Sequence, residues 1–145
     1  MEVKLITREN YEELIEVWEG SVRVTHHFLP EENILELKPL ILQHYFDAVE
    51  LRCITKNGEI AGFVGVADAN IEMLFVSPKY FRQNIGSQLV NYTINHLDAS
   101  KVDVNEQNSK AIEFYEKVGF KKVGRSELDG QGNPFPLIHM EWSGI

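Results

Sequence analysis

The chain has 145 residues, 43% hydrophobic and 25% charged, and its 14 Lys and Arg against 22 Asp and Glu give a net charge of −8. This length predicts one domain with its own core, spanning residues 1–145, and no stretch approaches the ~18 apolar residues of a membrane span. The acidic balance makes nucleic acid a poor partner, because affinity for it depends on cations that neutralise phosphates, and it favours cationic substrates.

The N-terminal residues and the cysteine content indicate the compartment. Residues 1–20 become charged early and lack an apolar signal core and a cleavage site, so we expect the chain to be cytoplasmic. Cys53 is the only cysteine, which excludes an intramolecular disulfide. It lies between apolar neighbours in a predicted strand, and we interpret it as a buried packing thiol rather than a nucleophile.

The first elements in chain order are a strand and two helical regions. Residues 2–6 alternate as a short strand does, and Thr7 is placed to cap the helix that follows. A second helical pattern covers residues 30–46, within which Pro39 predicts a kink or a restart.

The rest of the chain alternates strands with two helices. Strands are predicted over residues 50–56, 59–67, 71–76, 101–104, 120–127 and 135–142, and helices from Asn84 and from Asn108 to Val118. Asn57-Gly58 tolerates positive φ and predicts a tight antiparallel hairpin, whereas Gly119 marks a helix end. This order predicts a mixed sheet with helices on both faces.

The segment IEMLFVSPKYFRQNIGSQLV predicts an anion site. A strand that leads through a short loop into a helix aims free backbone N–H groups and the positive end of the helix dipole at one point. Gly86 lets a phosphate approach the backbone, Ser87 offers a hydroxyl, and Lys79 and Arg82 add positive charge. From spacing alone, an ordinary strand-to-helix corner explains the segment equally well.

The same segment resembles motif A of the GCN5-related N-acetyltransferase (GNAT) superfamily, in which Arg or Gln is followed by two residues, Gly, any residue and then Gly or Ala. With Gly86 in the last position, Phe81 replaces the Arg or Gln and Asn84 replaces the first glycine. Asn tolerates left-handed backbone best among non-glycine residues, so we expect the loop to keep its shape; Arg82 is expected to replace the donor missing at Phe81. The resemblance implies that the backbone amides of Arg82, Gln83, Asn84, Ile85, Gly86 and Ser87 hold the pyrophosphate of acetyl-coenzyme A.

The segment VDVNEQNSKAIEFYEKVGF resembles motif B of this superfamily, and this match is the more specific one. The matching positions are Asn108, Ala111, Phe114, Tyr115, Gly119 and Phe120. The two motifs cover roughly residues 71–120, and the resemblance implies an α/β (α+β) fold with a mixed, mostly antiparallel sheet. The segment WEGSVRVTHHFL is also similar to the N-terminal part of small bacterial members without an assigned substrate.

The resemblance implies transfer of an acetyl group from acetyl-coenzyme A to a primary amine of a small molecule or peptide, by direct attack in a ternary complex. In the family, the strand matching Leu74, Phe75 and Val76 pairs with the pantetheine arm. Asn108 is expected to cap its helix, and the resemblance implies that it also contacts the cosubstrate; the two roles are compatible. The tyrosine matching Tyr115 commonly protonates the departing sulfur; the alternative is a tyrosine that packs its helix onto the sheet. Family members often form homodimers.

Two residues are candidate bases for the acceptor amine. Glu72 precedes Leu74 by two positions, so strand alternation predicts both side chains on one face; the alternative is a solvated carboxylate. His26 follows the first helix, in a region that walls the acceptor pocket in the family, and its imidazole suits proton transfer near neutral pH. His27 is interpreted as a surface residue.

Other chemistries are not indicated by the sequence. No His/Cys cluster has zinc-ligand spacing, so no metal is predicted, and no Ser-His-Asp arrangement can be argued. The departures at Phe81 and Asn84 motivate an alternative, a non-catalytic acyl-coenzyme A-binding sensor. A protein-interaction domain that keeps only the fold is a third hypothesis.

Overall fold

The computed structural model describes residues 2–143 and contains one seven-stranded sheet in the order β1-β2-β3-β4-β5-β7-β6. The strands are β1 (Val3–Leu5), β2 (Glu50–Lys56), β3 (Glu59–Ala67), β4 (Asn70–Val76), β5 (Lys101–Asn105), β6 (Phe120–Ser126) and β7 (Leu137–Trp142). The helices are α1 (Tyr11–Thr25), α2 (Glu31–Leu40), α3 (Ile85–His96) and α4 (Ser109–Val118). Neighbouring strands pair antiparallel except for β4 and β5, which confirms the predicted mixed, mostly antiparallel sheet.

The β2–β3 hairpin forms where local sequence predicted it. Asn57 and Gly58 have φ values of 53° and 78°, the left-handed region that this residue pair tolerates. The backbone N–H of Ile60, next to the turn, donates to Glu13 Oε2 of α1 at 2.6 Å. This hydrogen bond connects the hairpin to the first helix.

The two N-terminal helices differ in detail from the prediction. Thr7 precedes a short 3-10 turn, Arg8–Asn10, so that α1 begins only at Tyr11. Pro39 lies inside α2, which does not restart there but continues into a π-helical turn over Ile41–Tyr45. A π turn accommodates a break in the regular hydrogen-bond pattern, such as the N–H that proline lacks.

The sheet separates two buried clusters, one on each face. Helices α3 and α4 pack on one face with residues that include Val64, Ile71, Leu89, Val102, Ile112, Tyr115 and Met140. Helices α1 and α2 pack on the other with residues that include Leu14, Trp18, Ile34, Phe46, Cys53 and Phe63. Cys53 is 4% exposed, which confirms a buried thiol. The α3–α4 face and the α1–α2 face are named accordingly below.

Strands β4 and β5 separate soon after they meet. Their parallel pairing comprises Asn70 with Lys101 and Ile71 with Val102, whereas β3 continues to pair with β4 as far as Val76. Among the described residues, the stretch of β4 from Met73 to Val76 thus has no partner on its β5 side. We call this opening the β4–β5 wedge.

Candidate active site

The loop before α3 presents an unbroken row of free backbone donors. From Arg82 to Ser87, none of the backbone N–H groups donates to another described residue, and the first helical bond there runs from Gln88 N to Asn84 O at 3.1 Å. Free N–H groups at a helix start, together with the helix dipole, bind anions well. The row lies beside the open end of the wedge, since a Cβ on Gly86 would stand 3.9 Å from Val76.

Two residues of this loop have left-handed backbone. Asn84, the N-cap of α3, has φ 62° and ψ 18°, as the sequence predicted for the residue at the family's glycine position. Arg82 has φ 64°, which the sequence did not predict and which a long side chain adopts only at a cost of roughly 1–3 kcal/mol. The loop conformation therefore depends on its surroundings.

Replacing Asn84 by glycine is expected to preserve acetyl-coenzyme A affinity or to raise it slightly. Glycine adopts positive φ without steric cost and leaves the backbone donors unchanged. Titration calorimetry of the wild type and of Asn84→Gly measures this directly. A loss of more than about tenfold, roughly 1.4 kcal/mol, would mean that the Asn84 side chain itself binds the cosubstrate.

The charges around this loop differ from the predicted ones. Lys79 Nζ lies 2.7 Å from Glu59 Oε1, so its charge is neutralised and does not contribute to an anion site as expected. Lys56, at the end of β2, instead donates to Gln83 Oε1. Sequence reasoning missed Lys56 because it lies 27 positions away and nothing local connects it to the loop.

Tyr115 is buried in the α3–α4 face at 6% exposure. Its ring packs edge-on against Phe114 and Phe120, with centroid distances of 5.0 Å and 5.5 Å. Burial strongly raises the pKa of the phenol, so it keeps its proton at neutral pH. No described residue makes a hydrogen bond with the hydroxyl. The hydroxyl is free to serve a ligand.

Asn108 is the N-cap of α4, as the sequence predicted. Its Oδ1 accepts from the backbone N–H of Ala111 at 3.2 Å. The capping bond uses only the amide oxygen, so the NH₂ group keeps both donors for another partner.

Glu72 lies at a β-bulge, which overturns the predicted alternation. Met73 pairs with Gly65 and Ile71 with Val66, so Glu72 has no residue opposite. The extra residue reverses the side-chain pattern: Leu74 packs with the α3–α4 face, whereas Glu72 lines a cavity with Asp103. The prediction that Glu72 shares a face with Leu74 is therefore wrong.

That cavity has a volume of about 420 Å³ and lies where β4, β5 and β7 meet. Its polar lining comprises Asp68, Asn70, Glu72, Lys101, Asp103, His139 and Glu141. Burial raises the pKa of Glu72; a hydrogen bond with Asn70 opposes this rise, and the nearby carboxylates of Asp103 and Asp68 add to it. A carboxylate with a raised pKa is a stronger proton acceptor than an exposed one.

His26, at the end of α1, lies on the α1–α2 face close to the wedge. Its ring centroid is 6.3 Å from that of Phe75, a residue of the unpaired stretch of β4 that packs with the α1–α2 cluster. Burial lowers the pKa of His26, with a smaller contribution from His27. His26 is thus neutral at pH 7.

A Ser-His-Asp arrangement, which the sequence did not indicate, joins three strands. His139 Nδ1 lies 2.5 Å from Asp103 Oδ1, and His139 Nε2 lies 2.6 Å from Ser126 Oγ. The three residues are 13 and 36 positions apart, so only the pairing of β5, β7 and β6 brings them together. Ser126 does not line the cavity, and we assign the arrangement to stabilising this end of the sheet.

Two features of other protein classes are missing from the residues that the structure describes. No helix among them is long and apolar enough to cross a membrane. Within residues 2–143, no three or more His, Cys, Asp or Glu side chains are grouped as metal ligands would be.

Comparisons with known proteins agree with the geometry. The family model described as acetyltransferase (GNAT) domain matches residues 36–143. Peptidyl-lysine N-acetyltransferase YjaB of Salmonella typhimurium is 36% identical over 132 residues, 91% of each chain. The solution structure of apo-form YjaB from Escherichia coli superimposes with a TM-score of 0.87 at 32% identity, covering 99% of this chain and 98% of that one.

A more distant structure supports the fold alone. The PaiA N-acetyltransferase of Thermoplasma acidophilum, crystallised in complex with coenzyme A, has a TM-score of 0.74 at 21% identity and covers 97% of both chains. The curated relatives are named as transferases, which favours an enzyme over the non-catalytic sensor. With its domain match and these relatives, the chain belongs to the GNAT family of acetyl-coenzyme A-dependent N-acetyltransferases.

Proposed function

We propose that the chain acetylates the side-chain amine of lysine in a peptide or protein, or a primary amine of a small molecule of similar shape, in the cytoplasm. The β4–β5 wedge carries this proposal. Free backbone donors lie at its open end, Tyr115 lies on one face of the sheet, and His26 lies on the other. Relatives named peptidyl-lysine N-acetyltransferases support the choice of lysine.

The residues around the wedge fit acetyl-coenzyme A as the acetyl donor. The free N–H groups from Arg82 to Ser87 would bind its pyrophosphate. The backbone of Leu74, Phe75 and Val76, unpaired on the β5 side, would pair with the pantetheine arm as an added strand would. The spare NH₂ group of Asn108 adds a donor from α4.

The acceptor amine would approach from the α1–α2 face. The cavity beside Glu72 carries Asp68, Asp103 and Glu141 against a single Lys101, a balance that attracts a cationic ammonium group. Such a field suits lysine better than an anionic or neutral acceptor.

Direct attack requires three tasks of the protein. A base must take a proton from the ammonium, donors must stabilise the oxyanion, and an acid must protonate the departing sulfur. We assign the acid to Tyr115 and the oxyanion donors to free N–H groups of β4. Glu72 and His26 are the two groups placed to take the amine proton.

A panel of amines tests the proposed function. Purified protein is incubated with acetyl-coenzyme A and, separately, with lysine-containing peptides, free polyamines and an N-terminal amine peptide. Thiol release and mass spectrometry of the acceptor report transfer. We expect acetylated lysine peptide. Tight binding of acetyl-coenzyme A without transfer to any amine would favour the sensor instead.

A further inference from the structure

A chain of hydrogen bonds at the end of α1 fixes the position of the hydrogen on His26. Thr25 Oγ1 lies 2.8 Å from the carbonyl oxygen of Ser21 and 2.7 Å from His26 Nδ1. A carbonyl only accepts, so the single hydroxyl hydrogen of Thr25 must point to Ser21. The opposite arrangement would leave two acceptors 2.8 Å apart without a hydrogen between them. His26 therefore donates from Nδ1.

The consequence is a free lone pair on Nε2. In a neutral imidazole only one nitrogen carries hydrogen, so Nε2 is an acceptor, and no described residue donates to it. Phe28 flanks the ring at a centroid distance of 5.3 Å and Phe75 at 6.3 Å. Phe28 in turn lies 6.1 Å from Phe135, between β6 and β7. The imidazole thus packs with aromatic rings beside the stretch of β4 that is unpaired on its β5 side.

We propose that His26 is the general base of the transfer and that Thr25 is its positioning residue, which holds the imidazole in the tautomer that exposes Nε2. This inference rests on the proposed function, because it requires an amine acceptor on the α1–α2 face. It also selects between the two candidate bases.

The position along β4 favours His26 over Glu72. Glu72 lies at the bulge beside the last β4–β5 pair, Ile71 with Val102, where the wedge is closed. Phe75 lies three residues further on, roughly 10 Å along the strand, where β4 pairs with β3 but with no described strand on its β5 side. His26 and Tyr115 lie on opposite faces of the sheet, so the proposed base and the proposed acid are separate groups that do not compete for the same proton.

The proton inventory balances with these two residues. His26 Nε2 takes one proton from the ammonium, and the freed lone pair attacks the thioester carbonyl carbon. The C–N bond forms, the C–S bond breaks, and the sulfur receives the hydroxyl proton of Tyr115. The nitrogen releases a second proton to solvent, solvent returns one to Tyr115, and His26 later releases its own. One proton is released per amide formed.

The environment of His26 suits this role at neutral pH. Burial lowers its pKa, neighbouring His27 lowers it further, and no described carboxylate contributes to the shift. The ring therefore stays unprotonated at pH 7 and becomes protonated only in acid. We expect kcat/KM to fall as the pH drops through the lowered pKa of His26.

The test compares His26→Ala and Thr25→Val with His27→Ala as a matched control at the next, exposed position. We expect His26→Ala to lower kcat by about 10²-fold or more with the KM for acetyl-coenzyme A unchanged. The defect shrinks as the pH rises, because the acceptor then loses its proton without a base, and added imidazole restores part of the rate. His27→Ala keeps wild-type kinetics.

The role of Thr25 is tested by the tautomer of the His26 ring, which would not change if Thr25 only stabilised the fold. In ¹⁵N spectra of the histidine ring, the wild type is expected to carry hydrogen on Nδ1. Thr25→Val is expected to populate the other tautomer and to lower kcat about fivefold, the worth of one hydrogen bond. Thr25→Ser restores both.

The outcomes separate this inference from the proposed function. An active wild type with unchanged kcat and pH profile in His26→Ala overturns the inference and leaves the proposed function intact. A wild type that acetylates no amine contradicts the proposed function. In that case the ¹⁵N spectra still test whether Thr25 positions the His26 ring. Hydrogen on Nε2 of His26 in the wild type would overturn that role.

Discussion

Replacing Tyr115 by phenylalanine is expected to lower kcat by about 10²–10⁴-fold, the usual contribution of a general acid, with the affinity for acetyl-coenzyme A nearly unchanged. The substitution removes only the hydroxyl, which bonds no described residue. The ring contacts with Phe114 and Phe120 remain, so the packing that supports α4 is kept. Single-turnover kinetics and calorimetry measure the two quantities separately.

The unfolding stability of Tyr115→Phe serves as a control for its kinetics. Because the hydroxyl bonds no residue within 2–143, Tyr115→Phe should leave the midpoint of urea unfolding unchanged. Burial raises the pKa of Tyr115, so the wild type should remain active at alkaline pH, where an exposed tyrosine would ionise and lose its proton. Undiminished turnover in the phenylalanine variant would remove Tyr115 from the acid role.

Replacing Gly86 by valine is expected to abolish detectable acetyl-coenzyme A binding. A Cβ at this position would stand 3.4 Å from Phe114 Cζ and 3.9 Å from Val76 Cγ2, so the first carbon just fits. The two methyl groups of valine have no room there and must displace Phe114 or extend over the N–H row that would hold the pyrophosphate. Either result disrupts the cradle.

Gly86→Ala is the matched control for this variant. Alanine adds only the carbon that meets Phe114 at ordinary contact distance, and the family motif permits alanine here, so binding should persist. Circular dichroism and unfolding curves establish that Gly86→Val is folded. A folded Gly86→Val that binds acetyl-coenzyme A normally would contradict the placement of the pyrophosphate at the start of α3.

Local sequence predicted those parts of the fold that depend on neighbouring residues. Asn57-Gly58 specified the hairpin, because its backbone preference is intrinsic. Asn84 was expected in left-handed backbone for the same reason, and the structure agrees. Asn108 was expected as a helix cap, and its bond to Ala111 confirms it.

The rest depends on pairing between distant segments. The bulge at Glu72 follows from the register with β3, and strand periodicity alone cannot reveal it. Lys56 contacts Gln83 only because β2 ends beside the loop before α3. Lys79 instead forms a salt bridge with Glu59, which neutralises its charge near that loop. Residue types pointed to the chemistry of the site, but the assignment of each side chain to a face required the folded sheet.

The β4–β5 wedge also has a consequence for how the protein avoids misassociation. Exposed strand edges recruit other chains and promote aggregation, and β4 leaves an unpaired edge from Met73 to Val76. This edge lies inside the sheet, however, with β5 anchored next to it at Ile71 and Val102. A foreign polypeptide strand with side chains on both faces would have to force the sheet apart. A slender extended chain, such as the unbranched β-alanine and cysteamine part of a pantetheine arm, would enter without doing so.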